Sequence, residues 1–262
     1  MRNDISKAAR RNAFTLVELL VVIGIIALLI SVLLPTLKRA QRSAQQVVCM
    51  SSMRQLAIAW MYYADDNKDW LVDGWPDRDP NRPPGKLPPG RRYQIPFFKG
   101  KAWGAQYGNS EAAIQEGALF KYARQTKLYH CPGDDGWHLV SVSINGWLNG
   151  EGSPGATPEI IYKRSDIKRA ADIWVFIDEN DWRDYQFGYN LGSFMVRRYD
   201  LHWIDAPGIW HNNGANVAFA DGHVVYKHWD EKGTLKMSIP PYDFNGVGGI
   251  DLKWIQPLTA PK

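Results

Sequence analysis

The sequence predicts an α+β fold, a long N-terminal helix packed on an antiparallel β-sheet with long loops, and three features carry that expectation. Residues 16–34, "LVELLVVIGIIALLISVLL", are apolar apart from one acid. Helical spacing of apolar residues continues well beyond them, and the second half of the chain holds a continuous apolar strand and a hairpin with an Asp-Gly turn.

The nineteen residues from Leu16 to Leu34 span roughly 28 Å as a helix, close to the ~30 Å of a bilayer's hydrocarbon core. Fifteen of them are Leu, Ile or Val. At about −0.3 to −0.6 kcal/mol each they outweigh Glu18, whose cost is about 2.5–3.5 kcal/mol even at a helix centre. The segment is predicted to insert, and the acid inside it becomes a functional residue whose partner must be named. Before Phe14 stand Arg2, Lys7, Arg10 and Arg11 against Asp4, a basic leader. The apolar run is too long for the core of a secretory signal and ends in "PTLKRAQ" instead of a small-residue cleavage box. That leaves an uncleaved anchor or a leader removed on the near side of the membrane.

Past Pro35, Leu37, Ala40, Ala44, Val47, Met50, Met53, Ala57 and Trp60 recur at spacings of three and four, so the helix is expected to run to about Ala64 and to lay this stripe on the rest of the protein. "DDNKD" ends it. The proline-rich stretch 73–96 is expected to be an extended loop, and "NSEAAIQEGALFKYARQ" two short helical turns divided by Gly117. "DIWVFID" (172–178) reads as a buried strand. "NVAFADGHVVYKHW" (216–229) reads as a hairpin in which a two-residue Asp221-Gly222 turn sets Phe219 opposite Val224 and Val217 opposite Tyr226. The tail after Trp229 is rich in Gly and Pro and reads as loops with an odd short strand.

The block "RRNAFTLVELLVVIGIIALL" resembles the N-terminus of type IV prepilins and type II secretion pseudopilins, a basic leader followed by F-T-L-x-E and an apolar helix. The resemblance implies a pilin-like fold and four segments: a leader over 1–13, a transmembrane helix over 14–35, its amphipathic continuation over 36–66 and a β-rich extracytoplasmic head over 67–262. It implies cleavage by prepilin peptidase between Ala13, where the family usually has Gly, and Phe14, with methylation of the new Phe14 amine. It also implies that Glu18 pairs with the amine of a neighbouring subunit during filament assembly. An intramembrane carboxylate whose partner arrives on assembly is costly in the lone subunit and satisfied in the polymer. "CMSSMRQLAIAWMYYADDN", "LYHCPGD", "SINGWL" and "HNNGANVAFADGHV" are similar, in that order, to prepilin-type proteins marked by a His, nine residues, then Asp-Gly, here His211 and Asp221-Gly222. The implied partners are other pilin or pseudopilin subunits, the peptidase and the inner membrane, with the head on the outer side.

Composition excludes a nucleic-acid binder. The chain has 31 Lys and Arg against 27 Asp and Glu, a net of +4. The leader takes four bases and one acid with it, so the rest is near neutral and lacks the concentrated basic face such binding needs. The two cysteines, Cys49 and Cys131, either form a disulfide in an oxidising compartment or stay unpaired. "DENDWRD" (178–184) offers Asp178, Glu179 and Asp181 as oxygen ligands for calcium, without the spacing of an EF-hand loop, and a solvated acidic loop is the favoured reading. No other metal and no cofactor is expected. The six histidines are dispersed, with no HExxH and no nucleophile elbow, so an enzyme is not expected. His211 is expected to order the loop entering the hairpin, and Asp221 and Gly222 to serve the turn. Twelve Trp and twelve Tyr support a rival reading, a membrane-tethered glycan-binding adhesin using Trp75, Trp103, Trp137 and Trp182 in loops.

Overall fold

The computed structural model describes residues 15–72, 111–115, 117–136, 139–149, 160–180, 192–196, 203–237 and 249–259. The proline-rich stretch expected to be an extended loop lies outside them. Helix α1 runs from Leu16 to Asp66 and contains Pro35. Its start is fixed locally. Thr15 Oγ1 accepts the Glu18 N–H at 3.2 Å, and the Thr15 N–H and hydroxyl each donate to the Glu18 carboxylate at 2.8 Å. This reciprocal Thr-x-x-Glu capping box satisfies backbone donors that the first turn would otherwise leave bare. Among the described residues, α1 is the one helix long and apolar enough to cross a membrane.

The chain divides into two compact units, one ending at Gln41 and one beginning at Arg42. In the first, the large apolar side chains from Leu16 to Leu34 are exposed. In the second, the remainder of α1 is part of the core: Cys49, Met53, Leu56, Trp60 and Tyr63 recur at helical spacing and are buried. Met53, Ala57 and Trp60 of the expected stripe are buried, and the departure lies earlier in the helix. Val47 is 66% exposed while Cys49 points inward, because the Cys49 thiol has buried partners on the sheet.

The sheet has five strands, β1 (Val142–Asn145), β2 (Trp174–Asp178), β3 (Ser193–Phe194), β4 (Gly214–Phe219) and β5 (Val224–His228), in the order β3-β1-β2-β4-β5. The pairings are antiparallel except β1 with β3, which is parallel, so the sheet is mixed at that edge. Every residue of β2 and β4 is buried, as fits central strands covered on both faces. One face, with Val142, Ile144, Phe176 and Ala218, joins the core built on α1. The other, with Trp174, Ile177, Val217 and Phe219, packs on Phe194, Trp203 and Trp229.

The tail departs from the loops expected of it. Two six-residue helices, α3 (Lys232–Met237) and α4 (Ile250–Ile255), close the second face with Met237, Leu252 and Ile255 after the short α2 (Glu111–Gln115) earlier in the chain. Their ends are tied reciprocally: the Glu231 carboxylate accepts the Gly249 and Asp251 N–H groups at 3.0 and 3.2 Å, and Asp251 accepts those of Asp230 and Glu231. Helices this short show no apolar period in sequence.

The hairpin register is one residue off the expected one. Ala218 pairs with Val224 and Val217 with Val225, and Phe219 N–H donates to His223 O at 2.9 Å. The loop therefore has three residues, Ala220, Asp221 and Gly222, with Gly222 N–H returned to Phe219 O at 2.9 Å and Gly222 at φ +89°. This is a turn closed by a positive-φ glycine, not a two-residue type I′ turn. The Phe219 ring stacks on His223 at 4.2 Å, which locks the register.

Candidate functional site: the capped anchor helix and a buried cluster in the head

At the N-terminus, the capping box holds the Glu18 carboxylate against Thr15, so the acid sits folded onto the first turn of an exposed apolar helix. Ala13 and Phe14, the expected cleavage pair, lie outside the described residues. The prokaryotic N-terminal methylation motif matches residues 8–34, spanning the end of the basic leader, that pair, Glu18 and the apolar run. The chain carries a prepilin-type N-terminus. No curated protein and no solved structure matches it. The motif stops short of the head, where the His211 and Asp221-Gly222 pattern stands on its residues alone.

In the head, the two halves of that pattern have different surroundings. Asp221 accepts the His223 N–H at 3.0 Å and lies 2.6 Å from His223 Nδ1, all within the hairpin. His211 is fully buried in the loop before β4. Its N–H donates to Gly214 O at 3.4 Å and its carbonyl accepts the Tyr226 hydroxyl at 2.6 Å, so its backbone fixes the entry to the strand. Its ring turns inward. Nε2 lies 3.1 Å from Cys131 Sγ and 3.8 Å from an Asp178 carboxylate oxygen.

Asp178 ends β2 on the face toward α1, and its other oxygen accepts the Cys49 thiol at 3.2 Å. Asn216 N–H donates at 2.8 Å to the oxygen that faces His211. Burial pushes the Asp178 carboxyl up to about 7 and the His211 ring down to about 4, since each is less easily charged away from water. The Cys131 side chain raises the Cys49 thiol well above its ordinary range, with burial adding to it. Cys131 is seated by its own loop: its N–H donates to Ser141 Oγ at 2.6 Å, and its sulfur accepts Gly133 N–H at 3.4 Å. A Cβ at Gly133 would crowd Trp210 Cβ at 3.0 Å and His211 Cε1 at 3.1 Å, so glycine gives the ring its room.

Of the two alternatives left open for the cysteines the unpaired one holds: Cys49 and Cys131 are free thiols, Cys49 donating to Asp178 and Cys131 beside His211. The expectation for the acidic stretch is corrected. Asp178 and Glu179 belong neither to a calcium loop nor to a solvated one: both are buried, and as neighbours on an extended chain they point to opposite sides, Asp178 toward Cys49 and Glu179 to the Ser143 hydroxyl. Asp181 lies outside the described residues. A Cys-His-Asp nucleophile triad does not fit either. The acid of a triad orients the imidazole through the nitrogen opposite the nucleophile, whereas here Cys131 and Asp178 both approach Nε2.

The tryptophans named for an adhesin, Trp75, Trp103, Trp137 and Trp182, lie outside the described residues. Of those described, Trp60, Trp147, Trp174, Trp203 and Trp229 are buried. Trp174, Phe194, Trp203, Trp229 and Trp254 form an edge-to-face series with ring centres 5.8–6.4 Å apart. These rings are core packing.

Proposed function

We propose that this chain is a pilin or pseudopilin subunit, cut by prepilin peptidase between Ala13 and Phe14 and assembled through α1 into a type IV pilus-like or type II secretion filament. The observation that carries the reading is the methylation motif lying over an apolar run whose single acid, Glu18, sits in the first turn of α1. A monomer in this form keeps the carboxylate occupied by Thr15. A neighbour's methylated amine would bring a full positive charge, a stronger partner in a low-dielectric setting. The exposed Leu, Ile and Val from Leu16 to Leu34 suit lipid before assembly and other copies of the helix after it. The head would then stand outside the inner membrane as a non-enzymatic module.

Intact mass of the protein from cells with an active prepilin peptidase tests processing. The expected species begins at Phe14 with a methylated amine, and a mature species still beginning at Met1 refutes the reading. Glu18→Ala makes the span more apolar, so membrane insertion is expected to persist while incorporation into sheared filaments falls. Equal incorporation of mutant and wild type would remove the role given to Glu18.

A further inference from the structure

Four side chains from four separate parts of the head meet at one point. Cys49 comes from α1, Cys131 from the loop ahead of β1, Asp178 from the end of β2 and His211 from the loop ahead of β4. One ligand atom from each lies within 4.8 Å of all the others, and all four residues are buried. We propose that Cys49, Cys131, Asp178 and His211 form a closed tetrahedral site for a zinc ion that clamps α1 to the sheet.

Geometry, ligand type and surroundings support this independently. A tetrahedral zinc with bonds of about 2.3 Å to sulfur and about 2.0 Å to nitrogen or oxygen sets its ligand atoms roughly 3.3–3.8 Å apart. Here Cys131 Sγ lies 3.1 Å from His211 Nε2, Cys49 Sγ 3.2 Å from one Asp178 oxygen and Nε2 3.8 Å from the other; with one oxygen as ligand the four atoms fall within 4.8 Å of one another, so the cluster closes on an ion with shifts of about 1 Å. Two thiolates and an imidazole are soft or borderline donors, which suit zinc and not calcium or magnesium. Two backbone donors already aim at the ligands, Gly133 N–H at the Cys131 sulfur and Asn216 N–H at the Asp178 carboxylate, as an outer shell does. A disulfide would use the sulfurs and leave a buried carboxylate beside a buried imidazole with no cation between them. With all four positions filled by protein the site has no opening for a substrate, so its role is structural. Binding takes up one divalent ion and releases to solvent the two thiol protons and any proton held by Asp178, with no change of oxidation state. The inference rests on the head and is independent of the filament reading.

The test uses the full chain, purified in detergent without chelator and freed of loose metal by gel filtration. Elemental analysis is expected to find one zinc per chain, with both thiols recovered after denaturation. Exchange into cobalt should give the intense visible bands of a tetrahedral ion and a thiolate charge-transfer band. His211→Ala and Cys131→Ser should lose the metal, Asp178→Asn should weaken cobalt affinity at least about tenfold, and His223→Ala, outside the cluster, should keep it. The wild-type measurements decide the matter even where a variant fails to fold. A folded wild-type chain without zinc that takes up no tetrahedral cobalt overturns the proposal. So does an intact mass short of two hydrogens, which reports a Cys49–Cys131 disulfide, or zinc that persists in a Cys49→Ser/His211→Ala double variant, which marks adventitious binding.

Discussion

Replacing Gly222 measures how much of the head's stability depends on one backbone conformation. Its φ of +89° lies where an L-residue sets its Cβ against the neighbouring carbonyl, at roughly 1–2 kcal/mol for alanine. The new Cβ would also come 3.2 Å from the Met61 Cε on α1, a flexible methyl that can swing aside, so this contact adds little. Valine is worse because a β-branched residue at positive φ is a steric outlier, and roughly 2–3 kcal/mol is expected. Asparagine tolerates the left-handed region and should cost under about 1 kcal/mol. The assay is urea unfolding of the full chain in detergent, followed through the buried tryptophans, with midpoints expected in the order wild type, Asn, Ala, Val. Each kcal/mol should move the melting temperature by about 2–4 °C for a head of this size. An alanine variant within about 0.5 kcal/mol of wild type, or an asparagine as damaging as valine, would show that the turn does not depend on positive φ.

Two further substitutions probe how the layers are joined. Asn145→Ala removes a buried amide that donates to Trp174 O at 2.9 Å and Thr259 O at 2.8 Å and accepts Trp147 N–H at 3.0 Å; with three backbone groups left unpaired, a loss of roughly 3–5 kcal/mol is expected by thermal unfolding. A loss below about 1 kcal/mol would mean that water takes over those groups. Trp229→Phe keeps most of the ring but deletes the indole donor to Gly208 O at 2.9 Å, and a drop of about 2 kcal/mol in the same measurement is expected, with no drop arguing that the carbonyl finds another donor.

The elements legible in the sequence are those whose signal is local. α1, β2 and the β4–β5 hairpin each announce themselves within a dozen residues, through an apolar run, a buried strand and an Asp-Gly turn. Register was not legible, because Asp-Gly closes loops of two or three residues equally well; the Phe219–His223 stacking, a contact across the strands, decides it. The tail helices are too short to carry a period, and their capping partners Glu231 and Asp251 lie far apart in the chain. The buried cluster was the least legible feature. Cys49 and Asp178 are 129 residues apart and Cys131 and His211 80 apart, so no spacing rule joins them. Asp178 was hidden further by its position, since at the end of an apolar strand it reads as the start of an acidic loop. The nearest available signal was "CPG" at 131–133, whose turn presents a backbone N–H to the preceding sulfur.

The C-terminal part of α1 is also core of the head. A force that draws this part of the helix out of the head acts on Met53, Leu56, Trp60 and Tyr63 together, since all four are buried. Each fully buried side chain of this kind resists with about 1.5–3 kcal/mol. Such a displacement would open the hydrophobic core itself, so this stretch of helix leaves the head only as the head unfolds.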